Sequence, residues 1–224
     1  MIGPNLEGSG VPLVDDKAEP TSIQDGRPLR RRRVVSSDAR KAILEATVRL
    51  VGRRGLDSVS LEQVAELAGL NKMSIYRTFG SRESLIQACV ELLCGREKNR
   101  WDEVGSRFDG RPRQQLLELF NDLSASMLGG DSTGYAIHLL ARSFANESHP
   151  VHITLSLHRR EFHGMLLRLA TASIATDPEG LADMLMLLWE GATLGFRSND
   201  ESRRIALRVP DLSKQIITMF ERRA

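Results

Sequence analysis

The sequence predicts an all-α protein, on three observations. Its 224 residues are 41% hydrophobic and 27% charged, a balance that permits a sizeable buried core. Apolar positions recur at helical spacing, and no run of alternating β-branched residues is long enough to suggest a sheet. Glycines and prolines fall mostly between the periodic segments, where they punctuate rather than interrupt.

Residues 1–35 carry four of the eight prolines and four of the eighteen glycines without a repeating apolar face, so they read as a disordered tail. The tail ends in Arg30, Arg31, Arg32 and Arg33, which suit either a solubilising segment or an arm lying along nucleic acid. From Ser37 the pattern is helical: Ile43, Leu44, Thr47, Leu50 and Val51 share one broad face, and Gly55 ends the run after Arg53 and Arg54. Ser60, with Gln63 three positions on, makes a capping box for a short second helix with Leu61, Val64, Ala65 and Ala68 inside. Gly69 supplies a break, Leu70 an apolar plug, and Asn71 a cap for a third helix beginning at Lys72. Beyond Ser81 the spacing predicts longer helices near 82–104, 112–128, 134–146, 150–175, 178–197 and 211–223. They are separated at 109–112, 129–132, 149–150 and 176–180, each of which holds a glycine or proline that a helix interior disfavours.

The net charge of +2 conceals an uneven distribution: −4 over residues 1–26, +7 over 27–84 and −1 over 85–224. A basic block of this size suits a phosphate-rich partner, and equally a solvated face. Cys89 and Cys94, five apart in a helical pattern, point to different sides and cannot pair with each other, which fits a reduced compartment. No apolar run approaches the roughly 20 residues that span a bilayer, and no short apolar signal-peptide core is present, so a cytoplasmic location is expected.

Within the basic block, two short helices joined through a glycine form the pattern of a helix-turn-helix. Ile75 and Phe79, four apart, should anchor its second helix; Lys72, Ser74 and Arg77 suit base edges or phosphates, while Tyr76, Thr78 and Arg82 offer hydroxyls or charge to a nucleic-acid backbone. The run ILEATVRLVGRRGLDSVSLEQVAELAGLNKMSIYRTFGSRESLI, residues 43–86, resembles the N-terminal domain of the TetR family of transcriptional regulators. The resemblance is carried by Ile43-Leu44, Gly55, the hydroxyl of Ser60, Val64-Ala65, Ala68-Gly69, and Tyr76, Phe79 and Arg82 before Leu85, in matching order and spacing.

That resemblance implies a homodimeric repressor that binds a palindromic operator in double-stranded DNA and is released by a small-molecule effector in a helical C-terminal domain. It implies that Tyr76 and Arg82 meet phosphates, that Lys72, Met73, Ser74 and Arg77 face bases, and that Ser60 joins the contact set. Thr78 stands where the family often has His or Tyr, and Arg82 where it usually has Lys; arginine keeps the charge and adds a planar fork. The expected organisation is a tail with a basic arm over 1–35, a helix-turn-helix domain over 36–85, and a ligand-binding and dimerisation domain over 86–224. An adaptor that keeps the DNA-binding head and answers to a protein partner is the alternative. No nucleophile elbow, phosphate-cradling glycine loop or metal-ligand spacing occurs, so neither enzyme activity nor a cofactor or metal is expected.

In the C-terminal region, residues 181–196 are apolar around most of the circumference and include Gly191, Ala192 and Gly195. With Ile216, Ile217, Met219 and Phe220 of the last segment they suit a four-helix interface made by helices 178–197 and 211–223 of two copies. All five histidines, His138, His149, His152, His158 and His163, fall between 138 and 163 without an i, i+4 pair, which fits cavity lining or plain surface better than a metal site. Trp101, Phe120, Met127, Tyr135, Leu139, Phe144, Phe162, Met165 and Trp189 are the candidate lining of an effector cavity, each with ordinary core as its alternative.

Overall fold

The structure, a computed structural model, describes residues 36–144, 146–195 and 200–221. Among these residues the regular elements are all helical: α1 (Ser36–Arg54), a 3-10 turn (Leu56–Ser58), α2 (Leu61–Leu67), α3 (Lys72–Phe79), α4 (Arg82–Arg107), α5 (Pro112–Leu128), α6 (Thr133–Ser143), α7 (Pro150–Ala172), α8 (Pro178–Leu194) and α9 (Asp200–Met219). The expected arginine arm, Arg30 to Arg33, lies outside the described residues.

Helices α2, α3 and α4 are set by their caps. Ser60 accepts from Gln63 N while its own N–H donates to the Gln63 side chain, completing the capping box that opens α2. Asn71 Oδ1 accepts from Ser74 N at 2.9 Å to start α3, and Ser81 Oγ accepts from Ser84 N at 3.0 Å to start α4. Between α2 and α3, Gly69 takes φ 67. Its N–H donates to Glu66 O and that of Leu70 to Ala65 O, a Schellman closure that a side chain at 69 would strain.

Helices α4 to α8 start within a residue of the expected positions and end within three of them. The last helix does not. It begins at Asp200 rather than at residue 211, and runs through Pro210. Pro210 has no N–H for the carbonyl of Ala206, a loss that normally breaks a helix. Here Ser124 of α5 donates its buried hydroxyl to Ala206 O at 2.8 Å, so the orphaned acceptor is satisfied by a neighbouring helix.

Two apolar cores result. The first joins α1 to α4 (Ile43, Val51, Val64, Ile75, Phe79, Leu85) and takes in Ala136 and Leu140 of α6 with Val151 and Leu155 of α7. Packing of the N-terminal helices therefore continues past residue 85 into the rest of the chain. The second core gathers Trp101, Phe120, Phe162, Leu185 and Trp189, with α9 laid against α5 and α8 through Ala206, Val209 and Ile217. Met184, Leu187 and Leu194 of α8, and Leu207, Leu212 and Met219 of α9, remain exposed. Among the described residues no helix is long and apolar enough to cross a membrane.

Candidate functional site

Helix α3 has two faces. Ser74, Ile75 and Phe79 are buried, while Asn71, Lys72, Met73, Tyr76 and Arg77 are exposed; Met73 keeps 72% of its surface open and Tyr76 41%. A large methionine and a tyrosine left open beside an arginine make a surface with contact area, a hydroxyl and charge. Arg40 of α1 sits 4.8 Å over the ring of Phe79 and fixes the inner face.

Several expected contact residues are already engaged. Ser74 is a correction: it is 6% exposed and its hydroxyl donates to Asn71 Oδ1 at 3.0 Å, so it supports the cap rather than joining the outer face. The spacing at the helix start makes a buried serine and an exposed one look alike, and only the fold of Asn71 over the first turn separates them. Thr78 donates its hydroxyl to Ser74 O at 2.7 Å and is half-buried, so its hydroxyl hydrogen is committed to its own helix. Ser60 is exposed and serves as the α2 cap. Lys72 is exposed and pairs with Glu62 Oε1 at 2.5 Å; the carboxylate beside it raises the ammonium pKa. Arg82, exposed at the first position of α4, donates Nη2 to Leu56 O at 3.3 Å and Val59 O at 3.1 Å, tying α4 to the turn that leads into α2.

The second candidate site is a cavity of about 600 Å³ between α4, α6, α7 and α8. Of the nine residues expected to line it, Trp101, Phe162 and Trp189 do. The other six lie elsewhere. Phe120 and Met127 are buried in the second core behind the wall, Phe120 meeting Trp189 edge-on at 5.8 Å. Tyr135 is half-buried against that core, and Met165 faces a separate groove shared with Asp109 and Arg168. Leu139 is half-buried and belongs to neither core, and Phe144 packs on the first core with its ring 4.4 Å from that of His149. An apolar residue can look like lining from sequence, because helical spacing marks an inner face without saying whether another helix fills it.

The polar wall joins histidines expected as lining or surface to Glu97, Arg159, Glu190 and Thr193, which the sequence did not single out. Glu97, 4% exposed, accepts from His158 Nε2 at 2.8 Å; Thr193 meets His138 Nε2 at 2.8 Å; and Arg159 donates Nε to Glu190 Oε1 at 2.5 Å. Burial holds the His138 imidazole below its usual pKa. The histidine cluster divides: His138, His152 and His158 line the cavity, His149 caps α7, and His163 pairs with Asp183 outside it. Clustering of histidines between 138 and 163 was the one signal in the sequence that pointed here. Among the described residues no group of three or more His, Cys, Asp and Glu side chains is placed to hold a metal ion.

Residues 43–89 match the family described as "Bacterial regulatory proteins, tetR family". The chain is 33% identical over 101 residues to the HTH-type transcriptional regulator TtgR of Pseudomonas putida, covering 42% of this chain and 47% of that protein. It is 27% identical over 155 residues to the HTH-type transcriptional regulator BetI of Rhizobium meliloti, covering 68% of this chain and 74% of that one. The chain thus spans about half the length of the first of these relatives. In fold it is similar to SCO4454, a TetR-family transcriptional regulator from Streptomyces coelicolor, with TM-score 0.75 at 16% identity over 83% of this chain and 97% of that one. A TetR-family regulator from Agrobacterium tumefaciens is similar to it with TM-score 0.71 at 17% identity over 81% of this chain and 98% of that one. Residues 43–89 thus match the N-terminal domain of the tetR family of bacterial regulatory proteins, and the described residues share the all-helical fold of the TetR-family structures.

Proposed function

We propose that the protein is a transcriptional repressor that binds a two-fold symmetric operator as a homodimer and is released by a small molecule in the α4–α8 cavity. The observation that carries this reading is the course of α4. Its first residue, Arg82, is bonded to the turn that supports α2 and α3, and fifteen and more residues on, Glu97 and Trp101 stand in the cavity wall. A ligand that shifts α4 at the cavity therefore shifts the seat of α3. In a dimer that alters the separation of the two recognition helices, which must match half-sites about one helical turn apart.

In this reading Tyr76 and Arg82 contact phosphates, whereas Met73 and Arg77 face base edges, and Lys72 exchanges its exposed Glu62 partner for the operator. Exchange is easy because an ion pair exposed on both sides contributes little. The exposed apolar residues of α8 and α9 supply the contact between copies.

Selection of bound fragments from random duplex DNA tests the reading. The expected outcome is enrichment of a palindromic site whose affinity falls steeply as salt rises. Enrichment of no symmetric sequence would count decisively against it.

A further inference from the structure

We propose that a second, separate groove between α4, α5 and α7 binds a small zwitterion of the amino-acid type, a carboxylate and an ammonium carried on one short apolar body. The groove has a volume of about 640 Å³ and does not depend on the effector reading of the α4–α8 cavity. It is lined by Trp101, Asp102 and Asp109 of α4 and the turn after it, Gln115 of α5, and Met165, Arg168 and Leu169 of α7. The first observation is Trp101, which lines both spaces. It is 4% exposed, and among the described residues its Nε1–H has no hydrogen-bond partner. The ring is stacked on His158 and Phe162, with centroids 4.7 and 4.5 Å away, so what it has left to offer a ligand is the N–H. A buried donor without an acceptor is costly, and an incoming oxygen removes that cost.

The second observation is how the charges are sorted. Arg168 stands on α7, whereas Asp102 and Asp109 stand on α4 and the turn after it; among the described residues none of the three forms an ion pair. The cations nearest to them in sequence are committed elsewhere: Lys98 to Glu161 at 3.6 Å, Arg100 to Asp131 and Asp122, and Arg107 to Glu118 at 3.8 Å. Arg111 lies over the Phe108 ring, 5.1 Å from its centroid, and donates to Arg107 O. Gln115 spends Nε2 on the carbonyls of Gly105 and Phe108, at 3.3 and 2.8 Å, which leaves its Oε1 as a further acceptor.

These groups select among ligand classes. A carboxylate takes the Trp101 N–H and the Arg168 guanidinium, whose planar fork suits it. An ammonium takes the aspartates and Gln115 Oε1. Met165 and Leu169 offer apolar surface to the body that carries both. A plain anion would meet Asp102 and Asp109 as like charges, and a plain cation would leave Trp101 and Arg168 without an acceptor. A neutral polyol supplies hydrogen bonds but no charge for either side.

Trp101 is one of the chain's two tryptophans, so intrinsic fluorescence of the full-length protein reports binding. Four probes with the same alkyl body are titrated at neutral pH: L-norleucine, hexanoate (no ammonium), pentylamine (no carboxylate) and 1,2-hexanediol (no charge). Norleucine is expected to bind roughly tenfold or more tighter than each of the other three. Arg168→Met is expected to abolish its advantage over pentylamine, and the double variant Asp102→Asn, Asp109→Asn its advantage over hexanoate. All three side chains are exposed, and circular dichroism checks that the variants fold. The series on unmodified protein decides the ligand class even if a variant does not fold. Hexanoate, pentylamine or the diol binding as tightly as norleucine overturns the zwitterion assignment. Norleucine binding that both folded variants leave unchanged places it outside this groove and overturns the site, as does failure to bind at millimolar concentration; neither result touches the α4–α8 cavity.

Discussion

At the scale of single residues, the site is built from side chains that serve the fold and the surface together. Arg82 is the clearest case, because Nη2 holds the carbonyls of Leu56 and Val59 while the residue as a whole is exposed. Arg82→Ala is therefore expected to cost about 1 kcal/mol of stability in urea unfolding as well as DNA affinity. Tyr76→Phe, which removes an exposed hydroxyl, is expected to weaken DNA binding across all sequences and to move stability by less than about 0.5 kcal/mol. Unchanged unfolding of Arg82→Ala would show that its two carbonyl bonds do not matter. The thiols are held silent by the opposite condition: burial pushes both Cys89 and Cys94 up to about 12, so neither is a ready thiolate at neutral pH.

At the scale of elements, helix boundaries follow local chemistry except where a neighbour supplies what the local sequence lacks. Ser60, Asn71 and Ser81 each cap the helix that follows, and the first two caps are readable from residue type and spacing. Pro210 reads as a stop, yet α9 passes through it because Ser124 satisfies Ala206 O. Ser124→Ala leaves that buried carbonyl without a partner and is expected to destabilise the fold by about 1–3 kcal/mol. The restoring change is Pro210→Ala, which returns an N–H to Ala206 O; in the double variant it should recover most of the loss by thermal or urea unfolding. No recovery would mean that the Ser124 hydroxyl acts through something other than this carbonyl.

At the scale of the whole molecule, the proposed switch depends on two copies. Leu187 and Leu194 of α8 are 68% and 50% exposed, and both also stand at the cavity wall, so contact between copies and closure of the cavity fall on the same helix. Leu187→Glu places a charge on that face. It is expected to shift the protein toward monomer in light scattering, and with it to lower operator affinity by two orders of magnitude or more on the order-of-magnitude scale of lost half-site pairing. A wild-type protein that is monomeric at micromolar concentration, or a variant that stays dimeric, would remove α8 from the interface.

The sequence by itself determined the helical class, the caps of α2 and α3, the Gly69 turn, and the Ile75 and Phe79 anchor that leaves Tyr76 and Arg77 outside. These are short-range matters, settled within one or two turns by backbone donors and side-chain periodicity. Only the tertiary structure decided that Ser74 is buried, that Arg82 reaches back more than twenty residues to Leu56 and Val59, and that α9 starts at Asp200. It also decided which aromatics face a cavity and that Glu97, His138, His152 and His158 make its polar wall. Periodicity says which side of a helix is inward, but whether that side meets a packed neighbour or open space depends on how α4, α6, α7 and α8 are placed against one another.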